Sequence, residues 1–268
     1  MNPPELGTWA EWASFIIAVV ALLQVWAIAL WKRYRPGQLA IYESGNIELG
    51  FSVFGPTISL RGSLRALHRE VFVTSAKLRV VRLKDKAESN FSWRFFRPFS
   101  VDVSGKEDST VDPVAGFALT PATSFKYHIF FASDAFVAEF QPSADKVRDE
   151  WPTFFSADLA THSPGKTGAQ LPTGSVEFEA SLGRYLNTAK PTALWAELNH
   201  SFFWQSGDYL LELKVSGEKL PKPATKLWRF AIAQTDSDSM RLNAIGILRA
   251  LSGSSASYNF AYPEYISG

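Results

Sequence analysis

Residues 70–83 read EVFVTSAKLRVVRL, and the seven residues from Lys77 to Leu83 nearly alternate between basic and apolar side chains. Successive side chains of a β-strand point to opposite faces of a sheet, so this alternation predicts a strand with one buried face and one face in water. The β-branched residues of the same stretch also favour a strand. The segment therefore predicts that the domain around it is built on antiparallel β-structure.

Similar short runs, rich in β-branched and aromatic residues, extend on both sides and are separated by Gly, Pro, Asn and Asp. Their spacing predicts a mainly β domain over residues 38–268, of the sandwich or barrel type. The further candidate strands are residues 38–43, 46–53, 57–64, 91–96, 117–119, 125–131, 136–140 and 226–232.

A few short helices are expected to interrupt the strands. Helical patterns occur at residues 143–151 and 192–199, while residues 176–182 fit either a helix or a strand. A third helix is predicted at residues 240–251, with residues 236–239 as its cap, Gly253 as its end, and an apolar stripe of Leu242, Ile245, Leu248 and Leu251. Residues 161–174 predict a long irregular connection, which is also a candidate seam between two subregions.

The stretch from Trp204 to Val215 contains a turn at Gly207, then Tyr209, then apolar residues at every second position. It resembles the penultimate strand of immunoglobulin-like β-sandwiches, in which a tyrosine after a turn bonds through its hydroxyl to nearby backbone. The resemblance covers this one strand, and it implies an immunoglobulin-like sandwich as the fold of residues 38–268. It implies nothing about activity, because fold class alone does not give function.

Residues 12–31 read WASFIIAVVALLQVWAIALW and contain no charged side chain. Twenty helical residues extend for about 30 Å, the thickness of one hydrocarbon core, so the stretch predicts a single transmembrane helix. Trp9, Trp12 and Trp31 lie at its ends, where aromatic rings favour the membrane interface. The alternative is a cleavable signal peptide, but the acidic tail before the segment and the length of the segment favour an uncleaved signal-anchor.

The charges beside this segment predict its orientation. Lys32, Arg33 and Arg35 follow it directly, whereas residues 1–11 contain acidic residues and no Lys or Arg. The positive-inside rule therefore predicts a non-cytoplasmic tail over residues 1–11, a basic juxtamembrane linker over residues 32–37, and a cytoplasmic domain after it. The absence of cysteine fits a reducing compartment, and the short anchor is typical of a bacterial inner-membrane protein.

Four residues of the apolar segment, Ser14, Ala18, Ala21 and Gln24, recur at spacings of three and four and so share one helix face. Small residues let helices approach closely, and a glutamine can bond to its copy in a neighbouring chain. The face predicts self-association into a homo-oligomer. The alternative is an ordinary alanine-rich spanning helix.

Ten basic and three acidic residues lie between Arg61 and Arg97. The strand pattern predicts a basic face formed by Lys77, Arg79, Arg82 and Lys84, which would lie against anionic lipid or be a solvated strand face. The net charge of the whole chain is +1, which argues against nucleic acid as the main ligand.

Motifs for chemistry are absent from the sequence. Gly165-Lys166-Thr167 lacks the first glycine and the following helix of a phosphate-binding loop, and the four histidines show no metal-ligand spacing. The sequence predicts no catalytic residue, no metal site and no cofactor, and an enzyme stays an unsupported alternative.

Two functions follow as expectations. The first is a membrane-anchored, non-catalytic interaction module whose cytoplasmic β-sandwich binds a protein or ligand at the inner membrane. The second is an oligomerising membrane effector, as in abortive-infection systems, which perturbs the bilayer through its transmembrane helix.

Overall fold

A computed structural model describes residues 6–43, 47–96, 112–166, 168 and 171–267. Within these residues the chain forms a mainly β structure with one long N-terminal helix and five further helices. The helices are α1 Leu6–Tyr34, α2 Asp134–His162, α3 Val176–Leu186, α4 Ala189–His200, α5 Gln234–Arg241 and α6 Asn243–Leu251. The strands are β1 Gln38–Glu43, β2 Glu48–Ser52, β3 Gly55–Leu67, β4 Val71–Arg82, β5 Glu88–Phe96, β6 Asp112–Pro113, β7 Phe117–Leu119, β8 Ser124–Ala132, β9 Gly207–Glu218, β10 Ala224–Ile232, β11 Phe260–Ala261 and β12 Tyr265–Ser267.

All twelve strands belong to one antiparallel sheet with the order β11-β2-β3-β8-β5-β4-β9-β10-β12. The three strands off this path are β1, which pairs with β3, β6, which pairs with β5, and β7, which pairs with β4. An immunoglobulin-like sandwich requires two sheets packed face to face. The β class of the domain is confirmed, whereas the immunoglobulin-like sandwich is not, because the described strands form one continuous sheet.

The sheet curls so that β10 lies beside β1. β3 is long enough to pair with β2 through its first half and with β1 through its second half. On the other side of the sheet, β10 comes back to β1, where the Glu43 carboxylate accepts a hydrogen bond from Trp228 Nε1. Lys226 Nζ lies 3.5 Å from the same carboxylate. Side chains therefore close the curl between β1 and β10.

The strand directions divide the sheet into two ends. At the end next to α1, which we call the α1 end, Gln38 pairs with Leu67, Arg65 with Ser124 and Phe72 with Glu218. Three turns therefore meet at the α1 end, at residues 67–71, 119–124 and 218–224. At the opposite end, which we call the far end, β8 runs into α2, β10 runs into α5, and α4 leads into β9. The helices α2 to α6 form a helical layer at the far end.

The burial along β4 confirms the predicted strand with one wet face. Val71 and Val73 are buried, and after a bulge between Val73 and Ser75 the buried positions continue at Ala76, Leu78 and Val80. The extra residue of a bulge shifts the alternation by one position. The buried face of β4 contributes to a core that continues into the helical layer.

The predicted strand at residues 136–140 is wrong, because these residues form the start of α2. Ser133 caps this helix, since its hydroxyl accepts a hydrogen bond from the Phe136 amide at 3.3 Å. The buried positions then follow a helical spacing, at Phe140, Ala144, Val147, Trp151, Phe155, Asp158 and Leu159. The predicted helix at residues 143–151 is confirmed as the middle of a longer helix, which continues past Pro142 and Pro152.

The predicted helix at residues 240–251 is two helices, because α5 ends before Leu242 and α6 begins after it. The N-cap of α5 is Ala233, so residues 236–239 lie inside that helix rather than capping it. Leu242 and Ile245 are exposed, and the buried positions of α6 are Asn243, Ala244, Ile247, Leu248 and Leu251. Gly253 follows the helix with a φ of 72°, a left-handed conformation that favours glycine.

Several other predictions agree with the structure. Residues 192–199 lie within α4, and residues 226–232 lie within β10, which pairs antiparallel with β9. Residues 176–182, which fit either class, form the start of α3. The irregular connection predicted at 161–174 falls between α2, which extends to His162, and α3, and its residues 167, 169 and 170 lie outside the described residues.

Candidate functional site

Helix α1 is a candidate functional element of the molecule. Among the described residues, only the segment Trp12–Trp31 is long and apolar enough to cross a bilayer, a criterion of length and composition. None of it is buried against the rest of the chain, and Trp9, Trp12 and Trp31 are exposed with it. In water, an exposed apolar surface of this length is unfavourable.

The connection between α1 and the sheet is short. Three residues, Arg35 to Gly37, separate Tyr34 from the first residue of β1. A Cβ atom added to Gly37 would lie 2.6 Å from the carbonyl oxygen of Lys219, so glycine permits the close approach of this linker to the turn at 218–224. The linker is therefore packed against the α1 end of the sheet.

The residues predicted for the membrane interface and those predicted for helix self-association have different outcomes. Arg35 is exposed, and its guanidinium lies over the Trp31 ring at 5.5 Å from the centroid. The side chains of Lys32 and Arg33 lie outside the described residues. Ser14, Ala18, Ala21 and Gln24 are all exposed, and self-association through them stays a prediction.

The predicted basic face of Lys77, Arg79, Arg82 and Lys84 does not form one surface. Arg82 is 8% exposed and points to the buried side of β4, together with Leu78 and Val80. Arg79 is on the exposed side, where Glu88 pairs with it at 2.7 Å and Glu212 lies at 3.9 Å. The prediction is corrected because residues 79 and 82 are an odd number of positions apart on a strand and so face opposite sides.

Arg82 has a structural role at the far end of the sheet. Its Nε and Nη2 donate to the Asp85 carboxylate, at 2.9 and 2.7 Å, and its Nη1 donates to the carbonyl oxygen of Phe203 at 3.0 Å. The same guanidinium lies 5.8 Å from the centroid of the Phe203 ring. Arg82 therefore joins the turn after β4 to the segment that leads into β9.

The pairing of Arg82 with Asp85 makes stability depend on pH. The hydrogen bond from Arg82 lowers the pKa of Asp85 to about 2. A carboxylate with a depressed pKa in the folded state stabilises the fold above its unfolded pKa of about 3.9, and this contribution is lost as the pH falls through the folded value. We expect Arg82→Met to lose less stability between pH 4 and pH 2 than the natural chain does, measured by urea unfolding of the full chain in mild detergent.

Arg229→Met is the control for that comparison, because Arg229 is exposed on β10. The other depressed carboxylates, such as Asp158 beside Arg184, titrate in every variant, so only the difference between the curves reports on Asp85. If Arg82→Met and the natural chain lose the same stability between pH 4 and pH 2, Arg82 does not lower the pKa of Asp85.

The Tyr209 hydroxyl bonds to backbone just upstream, as the resemblance to immunoglobulin-like strands implies. It donates to the carbonyl oxygen of Gln205 at 2.6 Å, and the carbonyl oxygen of Phe203 lies 3.2 Å away. Burial raises the pKa of Tyr209, so the hydroxyl stays protonated as a donor at neutral pH. This local feature occurs here in a single curled sheet.

A cleft lies beside the closure between β1 and β10. It has an empty volume of about 210 Å³ and is lined by Glu43, Ile47, Leu60, Arg61, Tyr127, Trp228 and Tyr265. Burial raises the pKa of Tyr127, and the nearby Glu43 carboxylate raises it further. The volume of about 210 Å³ includes open solvent, and the room for water-sized molecules is only about 10 Å³, enough for about one water, so the cleft is far smaller than a small-molecule site. Two of its lining side chains, Glu43 and Trp228, form the hydrogen bond that closes the sheet.

Sequence reasoning missed the closure at Glu43 and the helical layer at the far end. Glu43 and Trp228 are 185 positions apart, and no local pattern relates them. The helical start at Phe136 had a signal in Ser133 and in the apolar spacing that continues to Leu159. Within the part of the chain that the structure describes, no three His, Asp or Glu side chains are grouped as a metal ion would require.

Comparison of the chain with known proteins found no matching family model, no similar curated protein and no similar solved structure. The function is therefore argued from the arrangement of α1, the sheet and the helical layer.

Proposed function

We propose that this protein is a single-pass, membrane-anchored interaction module without catalytic activity. Helix α1 crosses the bilayer, residues 1–11 lie on the non-cytoplasmic side, and the β domain projects into the cytoplasm, where it binds a protein partner at the inner membrane. The observation that carries the proposal is α1 itself, with twenty charge-free residues, none of which is buried against the domain.

The architecture beyond α1 supports a tethered domain. The domain has its own continuous core of buried side chains from the sheet and the helices, to which α1 contributes no buried residue. Strands β8 and β10 contain nine residues each, so they extend for up to about 30 Å at 3.3 Å per residue. The helical layer at the far end is therefore the part of the domain most distant from α1 along the strands, and it is accessible to a partner.

The charge of α2 favours a partner with a basic surface. This helix contains six acidic residues, Asp134, Glu139, Asp145, Asp149, Glu150 and Asp158, and two basic ones, Lys146 and Arg148. Several of the acids are paired within the helical layer, as Asp158 is with Arg184 and Glu150 with Lys190. Complementary charge increases the rate of encounter between partners and contributes to specificity.

The anchor and its orientation can be tested with single cysteines, because the chain contains none. We expect Asn2→Cys to react with a membrane-impermeant maleimide in right-side-out inner-membrane vesicles, and Lys86→Cys to react only in inverted vesicles. Lys86 is exposed in the turn between β4 and β5 at the far end. The physical reason is the excess of positive charge directly after the helix.

A charge-exchanged variant is the matched control. Lys32, Arg33 and Arg35 become Glu while Glu5 and Glu11 become Lys, which reverses the charge bias without changing the apolar segment. We expect the two labelling patterns to exchange. Release of the natural chain from membranes by alkaline carbonate would overturn the anchor, and equal labelling of both cysteines in both vesicle types would overturn the orientation.

Partner binding requires a separate measurement. The full chain in mild detergent is used for affinity capture, beside a variant with Asp145, Asp149 and Glu150 changed to Asn, Asn and Gln. We expect the natural chain to recover a defined partner and the variant to recover much less of it. Recovery of no partner, together with a defined oligomer of the full chain, would favour the effector function and the face of Ser14, Ala18, Ala21 and Gln24.

A further inference from the structure

The α1 end of the sheet has the geometry and the charge of a surface that contacts lipid headgroups. Three linker residues span at most about 10 Å, and Gly37 packs against the carbonyl oxygen of Lys219, so the turn at 218–224 lies close to the end of α1. The headgroup region adds about 6 Å on each side of the hydrocarbon core. Helix α1 continues about 4.5 Å beyond Trp31, so if it crosses the bilayer, as proposed above, the turns at 67–71 and 218–224 lie at or just outside the headgroup region.

The linker and these two turns are rich in basic side chains. Residues 35–37, 67–71 and 218–224 contain four basic residues, Arg35, Arg69, Lys219 and Lys222, and two acidic ones, Glu70 and Glu218. Lys219 and Lys222 are exposed, whereas Arg69 is half-buried. Lys219 Nζ is 4.0 Å from Glu70 at a position where both side chains are about half exposed, an arrangement that holds the lysine only weakly. Both lysines are therefore available to anionic groups.

The far end carries the opposite charge. The six acidic and two basic residues of α2 belong to the helical layer, at the other end of the strands from Lys219 and Lys222. An anionic membrane attracts the basic end of such a domain and repels the acidic end, so both interactions favour one orientation. The close approach of Gly37 to Lys219 places the linker beside the same basic turn.

We infer that the α1 end of the sheet docks on anionic phospholipid headgroups through Lys219 and Lys222, together with Arg35 and Arg69. Docking holds the domain upright on the membrane, with its helical layer directed away from the bilayer. The inference rests on the proposed anchor, since α1 brings the turns to the surface. Arg79, Lys77 and Lys84, which the strand pattern assigned to a lipid-binding face, are not part of this surface.

The test uses the full chain with the single cysteine Ala122→Cys, in the uncharged and exposed turn at 119–124. A fluorophore on this cysteine is quenched by lipids that carry a nitroxide on the headgroup. The protein is reconstituted into vesicles of phosphatidylcholine alone and into vesicles that also contain phosphatidylglycerol. We expect stronger quenching in the anionic vesicles, because docking brings residue 122 to the headgroups.

The variant is Lys219→Glu/Lys222→Glu, and the matched control is Lys84→Glu/Lys86→Glu at the far end. Lys219 and Lys86 both have left-handed backbone conformations, with φ of 64° and 62°, so the two double substitutions meet the same local constraint. A basic residue near an anionic surface contributes about 1 kcal/mol, which changes the ratio of docked to undocked domain about fivefold. We expect the first variant to lose the extra quenching and the control to keep it.

The outcomes separate docking from anchoring. Vesicle flotation measures whether α1 anchors the chain in the membrane. A natural chain that does not float with the vesicles overturns both the anchor and the docking. A chain that floats but shows equal quenching in the two kinds of vesicle overturns docking alone. Equal loss of quenching in both double variants also overturns it, because a general effect of negative charge would then explain the result.

Discussion

Replacing Trp204 with alanine is expected to lower the free energy of unfolding by about 3–5 kcal/mol. Trp204 is fully buried, its ring stacks on Phe91 at 5.8 Å, and its Nε1 donates to the carbonyl oxygen of Gly50 at 2.8 Å. The side chain thereby joins the segment before β9 to β2 and β5. Urea unfolding of the full chain in mild detergent, followed by near-ultraviolet circular dichroism, measures the loss.

Two further variants separate packing from hydrogen bonding. Trp204→Phe keeps an aromatic ring but leaves the buried oxygen of Gly50 without this donor, so about 1–3 kcal/mol is expected to be lost. Trp195→Ala is the control, because Trp195 is 47% exposed on α4, and a change within about 0.5 kcal/mol is expected for it. Equal losses of unfolding free energy in Trp204→Ala and Trp195→Ala would show that the far end of the sheet does not pack around Trp204.

Replacing Asn243 with leucine is expected to cost about 3 kcal/mol or more, although the two side chains have the same branched shape. Asn243 is 2% exposed and lies at the start of α6. Its Nδ2 donates to the carbonyl oxygens of Phe51 and Asn259, and its Oδ1 accepts from the Asn259 amide at 2.8 Å. Leucine would leave these backbone groups without their partner, each at a cost of about 1–3 kcal/mol.

The same unfolding measurement tests Asn243, with Asn199→Leu as its control. Asn199 is half-buried, and within the described part of the chain its side chain bonds to the Trp195 carbonyl oxygen of its own helix, so its replacement is expected to have a smaller effect. Asn243 also holds the segment before β11 against β2, and we expect that segment to lose hydrogen-exchange protection in Asn243→Leu. Unchanged protection and stability would contradict this role.

Local periodicity predicted much of the secondary structure, and its errors have a common physical origin. Phe136 and Phe140 are four residues apart, a spacing that puts two side chains on one face of either a strand or a helix. Only the Ser133 cap and the continuing buried positions of α2 distinguish the two. Arg79 and Arg82 must face opposite sides of β4, but the adjacent apolar residues Val80 and Val81 leave the sequence unable to show which of the two faces inward.

The sequence by itself determined the apolar segment of α1, the charges that flank it and the β class of the domain, because each of these depends on neighbouring residues. The tertiary structure alone decided that the sheet is single and curled, that Glu43 meets Trp228 to close it, and that the helices gather at the end opposite α1. Contacts between residues far apart in the chain depend on how whole strands pair and pack, and local patterns of side chains do not encode that pairing.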